Sequence, residues 1–280
     1  RKIAVICGAV LLAVVLLGGC SSVASGTNFE GYSWKIRELR CKINKLIIST
    51  KKTSKQMNEF KMSLFLAPIS PVKDGGTGQI IKPATLKPYK TMTLQEVYRT
   101  ITANTRLQLL TDRVRRAFDS GDLSAYRALK QELLPYVTPC GTFGRRRSDS
   151  LLEASGLVVV DIDHLDSADE AARLRRQLFE DPFLRPELVF ISPCGQGVKA
   201  FVPYAPDPAL PDVRQNAAES IRWAMDYVQC VYADGNRNSA KGVDTSGKDL
   251  VRACFLSYDP GALIATRNNL SPENNLLQNQ

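Results

Sequence analysis

The sequence predicts an α+β protein whose core is a split β-α-β-β-α-β antiparallel sheet of the ferredoxin or RNA-recognition-motif type, with an additional N-terminal helical subdomain. Two observations predict this fold class. From Leu157 to Tyr258 the hydrophobic pattern switches between strand-length apolar runs and helical spacing in that order. Residues 93–135 carry helical patterns instead. In the split plan a four-stranded sheet carries two helices on one face, and we expect the other face to be free for a site.

Each element of the predicted core has its own signal. The run LVVVDI, rich in β-branched residues, is the first strand, and apolar residues at helical spacing follow over residues 167–180. ELVFIS and GVKAFVPY are two strands separated by a Pro/Gly-rich turn, residues 212–232 form the second helix, and RACFLSY is the fourth strand. In the N-terminal block, Thr93 caps a helix that continues to Phe118, and a further helix ends near Pro135.

The net charge of +9 comes almost entirely from the start of the chain. Residues 1–61 hold 11 Lys/Arg against 3 Asp/Glu, whereas residues 62–280 hold 26 against 25. Binding of nucleotide or nucleic acid by the body of the protein must therefore come from a local patch of charge. The seven cysteines form no CxxC pair, which argues against a zinc knuckle or a disulfide framework. The five outside the apolar leader are expected to be free thiols in a reducing compartment.

The first residues form an apolar leader. Its basic start and LGGC ending resemble a bacterial lipoprotein signal in which Cys20 is acylated, and its apolar run is shorter than the ~20 residues of a spanning helix. The alternative interpretation is that residues 1–61 are a mis-joined or mis-started segment and do not belong to the native product. We predict five segments: a leader (1–20), a basic linker (21–61), an extended and helical part (62–150), the core (151–265) and a disordered tail (266–280).

Two carboxylates end the first predicted strand. Asp161 and Asp163 are at positions i and i+2, so both point to one face while Ile162 points into the core. Two like charges this close favour a cation between them, and carboxylates are typical Mg²⁺ ligands. Alternatively, the strand end frays and both acids are solvated. His164, the only histidine, follows directly and is either a solvated loop residue or a ligand or acid/base group.

The turn between the second and third strands, SPCGQGVKAF, has the composition of an anion site. Gly195 and Gly197 let backbone N–H groups approach an anion closely, Ser192 can donate a hydrogen bond, and Lys199 adds positive charge. The pattern predicts a phosphate-binding hairpin. An ordinary Pro/Gly hairpin is the alternative.

A third group of charges surrounds the fourth predicted strand. Asp244, Lys248 and Arg252 lie before or at its start. Because the first and fourth strands of a split sheet can be neighbours, we expect Asp244 or Arg252 to lie near the two acids. The alternative is that Arg252 pairs only with Asp249 or Asp259.

Together the three motifs resemble the archaeo-eukaryotic primase superfamily, in its primase-polymerase branch. SGLVVVDIDHLD, FISPCGQGVKAFVPY and DLVRACFLSYDP look like the domain found N-terminal to virulence-associated-protein-E-type helicases of bacterial mobile elements, and the resemblance covers residues 62–265. It implies that Asp161, Asp163 and Asp244 are catalytic metal carboxylates for Mg²⁺ or Mn²⁺. It further implies a nucleotide-binding set: Ser192, Gly195, Gly197, Lys199 and Arg252. Lys199 stands where polymerising relatives usually have histidine.

The resemblance predicts a primase/polymerase-like nucleotidyltransferase domain of a mobile-element DNA replication protein, working by two-metal phosphoryl transfer. Its partners would be nucleoside triphosphates, a single-stranded DNA template and a superfamily 3-type helicase. Because the chain has no GxxxxGK[ST] loop, the helicase would act in trans or lie in a missing C-terminal part. Two alternatives stay open: a catalytically inactive nucleic-acid-binding accessory module, and an extracytoplasmic lipoprotein anchored at Cys20. The nucleotidyltransferase and the accessory module would both be cytoplasmic proteins without stable membrane association.

Overall fold

The computed structural model describes residues 60–204, 212–232, 242–243 and 249–265, and of residues 242–243 it describes the backbone alone. All of them belong to one compact unit. Within them the protein is mixed α+β, with five α-helices and antiparallel sheets. The predicted leader, most of the basic linker, the tail and Asp244 lie outside the described residues. No helix in the described ranges is long and apolar enough to cross a membrane.

The N-terminal half contains seven short strands and three helices. They are β1 (Lys61–Phe65), β2 (Val72–Lys73), β3 (Ile80–Lys82), β4 (Lys90–Thr93), α1 (Leu94–Ala103), α2 (Thr105–Asp119), α3 (Leu123–Leu133), β5 (Tyr136–Thr138), β6 (Gly141–Phe143) and β7 (Leu151–Ala154). Strands β12, β5, β1 and β4, in that order, form an antiparallel sheet; β12 comes from the C-terminal half. Strand β2 pairs with β3, and β6 pairs with β7.

The predicted cap at Thr93 is confirmed, but the helix after it is divided in two. Thr93 accepts a hydrogen bond from the Glu96 N–H, and the Glu96 carboxylate accepts one from the Thr93 N–H, which is a capping box. The chain leaves the helix at Asn104, whose backbone is extended, and starts α2 with the Asn104 side chain accepting from the Leu107 N–H. Asn104 therefore ends one helix and caps the next.

The C-terminal half contains the predicted core. Its elements are β8 (Leu157–Asp163), α4 (Ala168–Phe179), β9 (Leu188–Ile191), β10 (Val198–Pro203), α5 (Val213–Val231), β11 (Gly242–Val243), β12 (Cys254–Phe255) and β13 (Leu263–Ile264). The first three predicted strands and both predicted helices are confirmed, each within one residue of its expected ends. The resulting antiparallel sheet has five strands in the order β11, β8, β10, β9, β13.

The predicted fourth strand, RACFLSY, was wrong in its partner and its length. The strand beside β8 on the side away from β10 is β11, in which Gly242 pairs with Asp163 and Val243 with Ile162. Only Cys254–Phe255 of the predicted strand is extended and paired, and it pairs with β5 in the other sheet. Cys254 and Leu256 are buried with residues of β1 and β5, so packing on the N-terminal core determines where this segment lies.

The face of the five-stranded sheet that was expected to be free is covered. On one face Val158, Val160 and Ile162 pack against residues of α4 and α5, as predicted. On the other face Leu157 and Val159 pack, together with Phe190 and Phe201, in a second hydrophobic core with residues of β1, α1 and α2. Strand β8 is apolar on both faces up to Val160, so it is buried from both sides and only its end reaches a cavity.

Candidate functional site

Asp161 and Asp163 lie where β8 emerges from the two cores. Ile162, between them, is buried on the side of α4 and α5, so the two carboxylates share the opposite face as predicted. Asp161 is buried, with 6% of its surface exposed, whereas Asp163 is half-buried. Both line one cavity of about 430 Å³. The site is therefore a recess at the end of a strand and not an open sheet face.

Lys199 is the direct cross-strand partner of Asp161. Strand β10 pairs with β8 so that the two Cα atoms are opposite each other, and Lys199 Nζ donates a hydrogen bond to Asp161 Oδ2. Each side chain is only 8% exposed. Burial by itself would lower the pKa of the Lys199 ammonium, but the nearby Asp161 carboxylate outweighs it and holds the pKa above its ordinary value. Lys199 is thus a charged ammonium with an internal partner.

Arg252 is the second cation at the same carboxylate. Its Nη2 lies 3.7 Å from Asp161 Oδ2, and its side chain is 12% exposed. The expectation that Arg252 would lie near the acids is confirmed, although it comes from the turn before β12 and not from a strand beside β8. The other oxygen, Asp161 Oδ1, is buried and accepts no hydrogen bond from the described part of the chain. Asp161 therefore has one oxygen near two cations and one oxygen without a donor among the described residues.

The hairpin between β9 and β10 uses one of its predicted anion donors, the Gly195 N–H, within its own turn. The Ser192 N–H donates to the Gly197 carbonyl at 2.8 Å, and the Gly195 N–H donates to the Ser192 carbonyl at 3.0 Å. The Ser192 hydroxyl lies 3.1 Å from the Cys194 thiol. The cavity is lined by Pro193, Cys194 and Gln196 rather than by Ser192, Gly195 or Gly197. The phosphate role of those three residues stays a prediction.

Gly197 is a point where the hairpin lies very close to β8. A Cβ atom there would lie 2.7 Å from both the Ile162 carbonyl oxygen and the Ser192 hydroxyl, and 2.8 Å from Asp163 Oδ1. Real Cβ atoms do not approach other atoms this closely, so the absence of a side chain allows the hairpin to lie against the second acid. Gly197 positions Asp163 sterically.

Replacing Gly197 by alanine is expected to lower the free energy of unfolding by about 1–3 kcal/mol, because the new methyl group forces the hairpin away from β8. Urea denaturation measures the change. The matched control is Gly75→Ala, since a Cβ at Gly75 meets no atom within 4 Å. Equal midpoints for the two variants would contradict the steric role of Gly197.

The C-terminal segment is hydrogen-bonded to both backbone groups of Ile191, the last residue of β9 before the hairpin. Asp259 Oδ2 accepts a hydrogen bond from the Ile191 N–H at 2.8 Å, and the Ser257 hydroxyl donates to the Ile191 carbonyl at 2.6 Å. Asp259 also pairs with Arg175 of α4 at 2.6 Å. Asp259 is therefore the partner of Arg175 and not of Arg252. Sequence reasoning missed Arg175, because nothing in the helical pattern of α4 distinguishes it from its neighbours.

The cavity has a second wall that no motif predicted. Helix α3 and the end of α2 contribute Phe118, Leu123, Tyr126, Arg127 and Lys130, and Phe255 of β12 lies beside them. The lining thus contains four basic side chains against two carboxylates, together with the exposed His164. A concave recess with this excess of positive charge favours an anion that carries several charges.

Lys130 and Tyr126 are the central side chains of this second wall. Lys130 Nζ lies 5.1 Å from the centre of the Tyr126 ring and 5.6 Å from the centre of the Phe255 ring. Burial lowers the pKa of the Lys130 ammonium, and the Lys199 ammonium lowers it further. Burial raises the pKa of the Tyr126 hydroxyl, and the nearby Cys194 thiol raises it further. Tyr126 of α3 and Cys194 of the hairpin both line the cavity.

The predicted three-aspartate metal site is described only in part. The described ranges contain no group of three or more His, Cys, Asp or Glu residues that could hold a metal ion. The third predicted ligand, Asp244, lies outside them and directly follows Val243, whose backbone pairs with Ile162. The predicted role of Mg²⁺ or Mn²⁺ stays a prediction.

The chain is similar over part of its length to one protein family. The family model described as BT4734-like, N-terminal domain, matches residues 128–263, slightly less than half of the chain. The matched region contains every predicted site residue from Asp161 to Arg252 and also Lys130, whereas Tyr126 and Arg127 lie just before it. No curated protein and no solved structure matches the chain.

Proposed function

We propose that the protein is a primase-like nucleotidyltransferase domain of a mobile-element DNA replication protein, acting on nucleoside triphosphates with a single-stranded DNA template. The observation that carries this proposal is the cavity at the end of β8. There Asp161 and Asp163 lie beside Lys199 and Arg252 in a recess of about 430 Å³, within the range of small-molecule sites. Carboxylates next to fixed cations are the groups that phosphoryl transfer needs. A superfamily 3-type helicase would act with this domain.

The strand order supports a finer fold assignment. The elements β8, α4, β9, β10, α5 and β11 follow one another in the order β-α-β-β-α-β, and their strands lie in the order β11, β8, β10, β9. We assign this core to the split ferredoxin-like plan. In this assignment β13 is an addition at the edge beside β9.

The residues present are compatible with a divalent cation at one position. Asp161 Oδ1 is buried without a donor from the described residues, and Asp163 shares its face of β8. Carboxylate oxygens of this kind are typical ligands of Mg²⁺ and Mn²⁺. Asp161 through Oδ1, Asp163 and the predicted Asp244 would hold the ion. The bound ion would lower the pKa of the attacking hydroxyl and neutralise charge on the phosphate.

The basic side chains would bind and orient the triphosphate. Lys199 has three ammonium hydrogens, and its hydrogen bond to Asp161 occupies one of them. Arg252 lies at 3.7 Å from the same oxygen and has five N–H donors, which suit phosphate geometry. Because Asp161 holds both cations in place before an anion arrives, little reorganisation is needed on binding. The two hydrophobic cores around the strand end exclude water from the inner side of the site.

The ion pair of Lys199 with Asp161 also favours a second candidate function. An internal cation already neutralises this carboxylate, and it stands where polymerising relatives usually have histidine. A domain that has lost catalysis could keep such a pair for stability and bind nucleic acid as a replication or mobilisation accessory module. Such a module would need neither nucleotide nor metal.

Titration of ATP with and without Mn²⁺ separates the two functions. For the nucleotidyltransferase we expect Mn²⁺ to strengthen ATP binding at least roughly tenfold, because the ion bridges carboxylates and phosphates. Asp163→Asn should remove this increment, whereas Asp149→Asn on an exposed loop should keep it. The opposite result, DNA binding that is indifferent to ATP and Mn²⁺, would favour the accessory module.

A further inference from the structure

Lys130 is a basic residue that has no ion-pair partner in the part of the chain that the structure describes. Its side chain lines the cavity from α3, and within the described ranges no carboxylate lies at ion-pair distance from its ammonium. The rings of Tyr126 and Phe255 are its neighbours at 5.1 and 5.6 Å. Aromatic faces attract and orient a cation, but they carry no formal charge. The cavity therefore contains an oriented cation without an ion-pair partner among the described residues.

The surroundings of Lys130 are unfavourable for a cation until an anion enters the cavity. Lys199 and Arg252 line the same cavity, and both lie near the single oxygen Oδ2 of Asp161. Burial lowers the pKa of Lys130, and repulsion by the Lys199 ammonium lowers it further, while Asp163 and Asp161 offset this only in part. Like charges that face one another across a recess are relieved by an anion between them.

We propose that Lys130 is a phosphate-binding residue and that the cavity binds a polyphosphate between Lys130 of α3 and the two cations at Asp161, Lys199 and Arg252. This inference rests on the proposed nucleotidyltransferase function and adds a triphosphate contact from outside the three sequence motifs.

A compact polyphosphate suits this geometry better than the phosphates of a DNA strand. The recess is about 430 Å³ and receives side chains from α2, α3, the hairpin, β8, β10 and β12, so cations converge on it from more than one side. A strand of DNA would instead need a groove that follows its backbone and is open at both ends. Four basic side chains that line one recess suit the terminal phosphates of a nucleotide instead.

The test is calorimetric titration of inorganic tripolyphosphate in the absence of divalent metal. We expect Lys130→Met to weaken binding roughly tenfold or more, because a charge-assisted contact is lost while the apolar stem is kept. Lys73→Met, at an exposed lysine outside the cavity, is the matched control and should bind as the wild type does. Amine acylation read by mass spectrometry gives a second measurement, in which tripolyphosphate should protect Lys130 and leave Lys73 reactive.

Three outcomes would overturn the assignment. Equal affinity of Lys130→Met and Lys73→Met, with Arg252→Met still weakened, would remove Lys130 from the site and leave the proposed function intact. A defect of Lys130→Met in binding of a short unphosphorylated single-stranded DNA, but not of tripolyphosphate, would assign the lysine to the DNA strand instead. Failure of the folded wild-type protein to bind tripolyphosphate would overturn the cavity as a polyphosphate site of its own, whereas the titration of ATP with Mn²⁺ would still decide the proposed function.

Discussion

Replacing Asp161 by alanine is expected to lower the free energy of unfolding by roughly 3–5 kcal/mol, the usual cost of removing one partner from a buried ion pair. Lys199 would then be left as a buried ammonium without its carboxylate, since both side chains are only 8% exposed. Arg252 would lose the same partner. The lysine must either stay charged without a counter-ion or lose its proton, and both cost free energy. Urea denaturation of the wild type and the variant measures this cost.

Two controls show whether the effect comes from the unpaired charge. Asp149→Ala breaks the exposed pair with Arg147 and should change the free energy of unfolding by at most about 1 kcal/mol. The double variant Asp161→Leu/Lys199→Met replaces both charges by apolar groups and should recover much of the lost stability. A single variant no less stable than Asp149→Ala would show that the ion pair does not contribute in solution.

Replacing Arg252 by methionine is expected to weaken binding of nucleoside triphosphate roughly 10- to 100-fold, because one or two charge-assisted hydrogen bonds to phosphate are lost. The fold should tolerate the change, since Lys199 still donates to Asp161. The Arg252→Met variant therefore separates the effect on ligand binding from the effect on stability better than any substitution of Lys199 does. Isothermal titration with ATP gives the dissociation constant, and thermal unfolding checks the fold.

Arg147→Met is the matched control for this arginine. Arg147 is exposed, pairs with Asp149 and does not line the cavity. The Arg147→Met variant should bind ATP with the affinity of the wild type. Should Arg252→Met also bind ATP with wild-type affinity, the cavity would not be the triphosphate site.

The sheet core could be predicted from sequence because its signals are local. LVVVDID is long enough and β-branched enough to be a strand on its own, and the stripes of α4 and α5 repeat over three and five turns. The shared face of Asp161 and Asp163 follows from strand geometry alone. These predictions required no knowledge of which distant segments meet.

The packing of the N-terminal half on the second face of the five-stranded sheet could not be predicted in the same way. Strand β1 is central in the four-stranded sheet and buries Met62 and Phe65, yet its partners β4 and β5 lie about 30 and 75 residues further along the chain. Five residues of ordinary composition give no sign of such pairing. The same applies to β11 and β12, which have two residues each and depend on their neighbours for their conformation.

The site was predictable where it lies on one strand and unpredictable where it combines distant elements. Asp161 and Lys199 are opposite each other because β8 and β10 are neighbours, and no short turn between them sets that register. Lys130 and Tyr126 are ordinary members of an amphipathic helix until α3 packs over the strand end. Only tertiary packing makes them part of a site.

The most direct test of the proposed nucleotidyltransferase function is template-directed nucleotide incorporation by the purified protein on primed and unprimed single-stranded DNA with Mn²⁺. We expect metal-dependent incorporation by the wild type. Asp163→Asn should decrease the rate roughly 100-fold or more, because loss of a metal carboxylate removes several kcal/mol of transition-state stabilisation. Asp149→Asn should remain active. Incorporation that is unchanged in Asp163→Asn, or a folded wild-type protein that incorporates no nucleotide, would contradict the proposed function.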